Sequence, residues 1–87
     1  MNAIVKDMRQ VGFKMEEVAI PEIDRDEVLI KVEVSALCKS DVDVYDWTEL
    51  VDRVNYDLPF IMGHEFTGTI VKVGEGVRGF QEGDRVA

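Results

Sequence analysis

Cysteine, histidine, proline and tryptophan are scarce in this chain of 87 residues, which holds one Cys, one His, two Pro and one Trp. A single cysteine cannot close an internal disulfide. Cys38 is therefore a buried small residue, a reactive thiol or a metal ligand. Basic residues are the next shortage: ten Lys and Arg stand against 18 Asp and Glu, for a net charge of −8. That balance argues against nucleic acid as a partner, because phosphate binding needs clustered cations. It argues equally against an anionic membrane surface. No apolar run approaches the roughly 18 residues of a membrane span. The opening MNAIVKDMRQ lacks the apolar core of a secretory signal. A reducing cytoplasm is the expected setting. No segment repeats, and none is low in complexity.

What is present is ordinary globular material, 46% apolar and 32% charged. A chain of this size buries only about 60–65% of the surface that its unfolded form exposes, so it gains much from a metal, a partner or more chain. The dominant period is two. In Val28-Leu29-Ile30-Lys31-Val32-Glu33-Val34-Ser35 the even positions are all β-branched and apolar, which predicts a strand with one face in the core and a polar outer face. Ala3–Val5, Phe13–Ile20, Thr67–Val73 and Asp84–Ala87 are further strand candidates. Between them, Ser40 with Asp43 three residues on suggests a helix N-cap. A short helix is expected near 40–46 and a looser turn to about 58, where Leu58-Pro59 stops it. Phe13, Phe60, Phe66 and Phe80 are expected in the core. The fold class is therefore mainly β, a partly open barrel with one or two short helices. The chain ends on a strand just begun, so an incomplete domain of a longer protein is expected.

Any metal hypothesis must use Cys38 and His64 together, since zinc takes thiolate sulfur and imidazole nitrogen. They lie 26 residues apart, too far for a zinc-finger hairpin, so the fold must bring them together. A catalytic zinc keeps three protein ligands and an open position. Glu65 could supply oxygen, or the third ligand lies beyond Ala87. On composition alone, a small buried cysteine and a hydrogen-bonded histidine explain the pair better than a shared metal site does. Gly74-Glu75-Gly76-Val77-Arg78-Gly79 spells G-x-G-x-x-G, but the dinucleotide fingerprint needs a helix to open there, and another turn and strand follow instead. These glycines read as turn residues. Tyr45 and Trp47 either line a pocket or pack a loop.

Cys38-Lys39-Ser40-Asp41, followed by Gly63-His64-Glu65-Phe66-Thr67-Gly68 and Gly74, resembles the zinc-containing medium-chain alcohol dehydrogenase family. Gly83-Asp84-Arg85-Val86 also fits that family, and the stretch from Tyr45 to Pro59 is nearest in style to its threonine and polyol dehydrogenases. The resemblance spans nearly all 87 residues but only the N-terminal quarter of such an enzyme. It implies that residues 1–87 are a GroES-like part of a catalytic domain, with the Rossmann domain outside the chain. It implies an oxidoreductase that moves hydride between an alcohol, polyol or amino-alcohol and NAD or NADP, with Zn2+ as Lewis acid, assembled as a homo-oligomer (dimer or tetramer). The piece alone is expected to be inactive.

By position, the resemblance makes Cys38 and His64 zinc ligands, with Glu65 beside the metal as a secondary one. Asp41 becomes the carboxylate that fixes the His64 tautomer, and Ser40 the hydroxyl that meets the substrate and starts a proton relay. Two positions depart from the common pattern. Lys39 stands where many relatives have glycine; it either touches the cofactor pyrophosphate or is a solvated lysine. Asp43 occupies a relay position that is often histidine; it either passes protons or is a first-turn acid favoured by the helix dipole. Two other readings compete: a stand-alone, non-catalytic β-barrel that binds or oligomerises, and a zinc-free reductase branch, whose members usually lack the cysteine and histidine together.

Overall fold

The computed structural model describes all residues, Met1–Ala87. The chain divides into two compact units, one built from Met1–Ala19 and Leu37–His64, the other from Ile20–Ala36 and Glu65–Ala87.

The first unit holds a three-stranded antiparallel sheet in the order β2-β1-β4, formed by β1 (Asn2–Lys6), β2 (Lys14–Glu17) and β4 (Phe60–Ile61), together with helices α1 (Lys39–Asp46) and α2 (Glu49–Val54). Ala3 and Val5 of β1, Val44 of α1 and Val51 of α2 are its buried apolar residues. Alternation in β1 puts Ala3 and Val5 on one face, as period two requires. β4 is too short to leave a pattern in the sequence. It pairs Val5 with Ile61 and Lys6 with Phe60, next to a cis Leu58-Pro59 bond.

The second unit is a three-stranded antiparallel sheet in the order β3-β5-β6, from β3 (Val28–Ala36), β5 (Glu65–Val73) and β6 (Arg85–Val86). Ile70 is its buried anchor at 1% exposure. Two register shifts interrupt the β3–β5 ladder, after Leu29 and after Val32. Gly68 sits where a Cβ would come within 2.4 Å of the Lys31 carbonyl oxygen, so the close approach of the two strands requires glycine.

The expected strands appear, with β2 shorter than the periodicity suggested. The two sheets are open and neither closes into a barrel. This corrects the burial expected of β3, whose residues are half-buried only as far as Ile30; Val32 and Val34 are 52% and 64% exposed. Phe66 and Phe80 are likewise exposed, while Phe13 and Phe60 are half-buried. A three-stranded sheet has too little facing material to cover a nine-residue strand along its length. The glycines at 74–79 are turn residues: the Gly74 and Gly76 amides donate to the Glu27 and Arg25 carbonyls, each at 2.8 Å, and no helix follows.

Candidate metal centre

α1 builds the site from its N-terminal end. Cys38 is the N-cap residue, extended at φ −105° and ψ 163°. The helix therefore begins two residues earlier than the Ser40 signal suggested. Its capping acid is Asp41, not Asp43, and the backbone N–H of Cys38 donates to Asp41 Oδ2 at 2.9 Å. A carboxylate in the first turn meets the unpaired amides and the positive end of the helix dipole.

The second oxygen of the same carboxylate faces His64. Asp41 Oδ1 lies 3.3 Å from His64 Nδ1. Asp41 is 2% exposed, so its partners rather than water hold the carboxylate. His64 follows Gly63, whose φ of 111° is a conformation open to glycine. The Cys38 thiol and the His64 ring bring their donor atoms within 4.8 Å of one another. In tetrahedral zinc the bond lengths place sulfur and nitrogen donors roughly 3.5 Å apart, so small side-chain rotations suffice. The donor set, one soft sulfur and one imidazole with a buried carboxylate behind the ring, fits zinc. Glu65 is the next residue of the chain and the first of β5, with its carbonyl accepting from Ser35 Oγ at 3.2 Å.

The Ser40 hydroxyl donates to Cys38 Sγ at 3.4 Å, beside the thiol. Lys39 pairs with Asp43 four residues on, at 2.5 Å. Each thus has a partner on the solvated flank of α1, the arrangement that a plain i,i+4 pair requires.

A cleft of about 370 Å³ has His64 in its wall, within the first unit. Ser40, Asp41, Asp43 and His64 supply polar lining, and α2 supplies Leu50, Val51 and Val54. Its aromatic walls are Tyr56 and Phe60. Tyr45 and Trp47, the aromatics that sequence made candidates, do not line it. Tyr45 meets Phe13 edge to face at 5.1 Å, and the Trp47 ring lies 5.4 Å from the Lys6 ammonium and 5.5 Å from the Arg9 guanidinium. Both pack. No periodic signal marks Tyr56 or Phe60, because they enter through a loop and a two-residue strand.

Residues 24–87 match the family described as Alcohol dehydrogenase GroES-like domain. The chain belongs to that family. It is 41% identical over its whole length to L-threonine 3-dehydrogenase of Bacillus licheniformis, and spans 25% of that relative. Among solved structures it resembles 2R,3R-butanediol dehydrogenase from Bacillus subtilis, with a TM-score of 0.82, 34% identity, and coverage of 97% of this chain and 26% of that one. A candidate zinc-binding dehydrogenase from Sinorhizobium meliloti 1021 bound to NADP gives a TM-score of 0.81 at 28% identity, covering 97% of this chain and 23% of that one. The GroES-like chain thus spans about a quarter of the length of the dehydrogenases it matches. No helix in it is long and apolar enough to cross a membrane.

Proposed function

We propose that this chain is the N-terminal, GroES-like part of the catalytic domain of a zinc- and NAD(P)-dependent dehydrogenase acting on a small alcohol, polyol or amino-alcohol. The observation that carries the reading is the meeting of Cys38 and His64 with Asp41 buried behind the ring. Cys38 and His64 would hold zinc, with Glu65 as an occasional further donor. Zinc supplies Lewis acidity toward an alcohol oxygen. Asp41 orients His64, since an imidazole whose Nδ1 is turned to a carboxylate offers Nε2 as its donor. Ser40 stands beside the thiol and on the cleft wall, where its hydroxyl can accept or pass a proton. Asp43 lines the same cleft and is the next group along for a proton. Lys39 would have to leave Asp43 to reach a cofactor pyrophosphate. The apolar wall from α2 and Phe60 suits the carbon chain of a small alcohol. Hydride transfer is assigned to the whole enzyme, a homo-oligomer of the reducing cytoplasm, where a single thiolate ligand stays reduced.

Anaerobic titration of the chain with Co2+, a spectroscopic substitute for zinc, tests this. A thiolate-to-cobalt absorption band that zinc abolishes is expected. Cys38→Ser should lose the band, and His64→Ala should weaken cobalt binding tenfold or more. If both variants bind cobalt as the parent does, the ligand assignment is wrong.

A further inference from the structure

Lys6 is a lysine with 1% exposure, and a charged side chain that deep must be held by partners. Its ammonium donates to three backbone carbonyls, those of Gln10, Gly12 (2.8 Å) and Tyr45 (3.2 Å). The rings of Phe13 and Trp47 lie 5.6 and 5.4 Å from it, within cation–π range. Gln10, Gly12 and Phe13 are local to Lys6. Tyr45 is 39 residues away and lies in the last turn of α1.

That last turn has no basic residue of its own. The final carbonyls of a helix lack intrahelical donors and carry its negative dipole end. Here the Trp47 amide serves Val44 and the Thr48 amide serves Asp43. The Tyr45 carbonyl receives the Gly12 amide at 2.9 Å and the Lys6 ammonium. A cation from β1 thus occupies the C-terminal end of the helix whose other end carries Cys38, Ser40 and Asp41.

We infer that Lys6 is a positioning residue for the metal ligands: it fixes α1 from its C-terminal end, and so fixes Cys38 and, through Asp41, His64. The metal part of this inference rests on the proposed function. The anchoring of α1 does not.

The test compares Lys6→Met, which keeps the stem and removes the charge and donors, with Val5→Ala, a cavity made one residue away in the same strand that leaves the anchor in place. Both are studied in the 87-residue chain, under conditions where far-ultraviolet circular dichroism shows them folded. Two readouts are taken. In Lys6→Met, Co2+ affinity should fall tenfold or more, with a shifted thiolate-to-cobalt band. Amide exchange in α1 should speed up tenfold or more, while β5 amides change little. Val5→Ala should keep the cobalt band and affinity within threefold. Lys6→Arg, which restores a cation, should recover part of both losses. Where Lys6→Met does not fold, Lys6→Gln takes its place, removing the charge but keeping an amide NH2 on a side chain one bond shorter. The inference is overturned if α1 exchange and cobalt binding in the Lys6 variant match those of Val5→Ala. Should Cys38→Ser bind cobalt as the parent does, the metal reading falls, and α1 exchange alone decides whether Lys6 anchors the helix.

Discussion

At the scale of single residues, Asp41 does two things at once. One oxygen receives the Cys38 amide and the other faces His64. Asp41→Asn keeps the shape but removes the charge, and it should lower cobalt affinity by about 10–100-fold, the usual cost of losing a partner behind a ligand. Titration of the variant beside the parent checks this; unchanged affinity would leave Asp41 as a helix cap alone. Asp52 carries a pH prediction. The Trp47 indole N–H at 2.8 Å, against some desolvation and with help from Arg9, holds its carboxyl below the usual 3.8. A folded value below the unfolded one means that this stabilisation is present above the unfolded value and disappears as pH falls through the folded one. Asp52→Asn should therefore be slightly less stable than the parent at neutral pH, and the gap should close as the pH is taken below the usual carboxylate range, read from urea midpoints. The pair is exposed, so the effect is small. Cys38 and His64 stood out in the sequence because each is the sole residue of its kind, and the structure brings their donor atoms within 4.8 Å. Lys6 was not, since nothing in a sequence distinguishes the rare buried lysine from a solvated one. The cap was displaced by two residues because Ser40-x-x-Asp43 mimics a capping signal better than Cys38-x-x-Asp41 does.

At the scale of elements, β1, β3 and β5 were legible from alternation. β4 was not, because two residues make no pattern. Packing differs sharply along the second sheet. Ile70 is buried in β5 and Val34 is exposed in β3. Ile70→Ala should cost about 2–5 kcal/mol, while Val34→Thr should stay within about 0.5 kcal/mol, both by chemical denaturation. Gly68→Ala should cost about 1–3 kcal/mol through the forced separation of β3 and β5. A neutral result would mean that the ladder shifts more easily than its register implies.

At the scale of the whole molecule, an all-round excess of acid shapes behaviour more than any single ion pair. A net charge of −8 on 87 residues opposes compaction by self-repulsion, and salt screens it over about 10 Å at 0.1 M. Thermal unfolding should therefore shift upward between low salt and about 0.2 M NaCl. A downward shift would show that the local pairs, such as Lys14 with Asp7 and Arg53 with Glu49, outweigh the net repulsion. The mainly β class and the family were legible from the order of strands and the Gly-His-Glu element. The exposure of Val32, Val34, Phe66 and Phe80 was not, because period two tells which side chains share a face and nothing about what covers that face.

α2 is bracketed by two left-handed residues, Trp47 at φ 54° and Asn55 at φ 59°. Backbone direction is thus reset on entry and on exit, which sets α2 off as a short insert between two turns. It is tied back at two points, by Val51 in the core and by Asp52 to the Trp47 indole, while Leu50 and Val54 stay exposed. Leu50 and Val54 are therefore the positions of that cleft wall that can change at least cost to packing, with Cys38 and His64 left untouched.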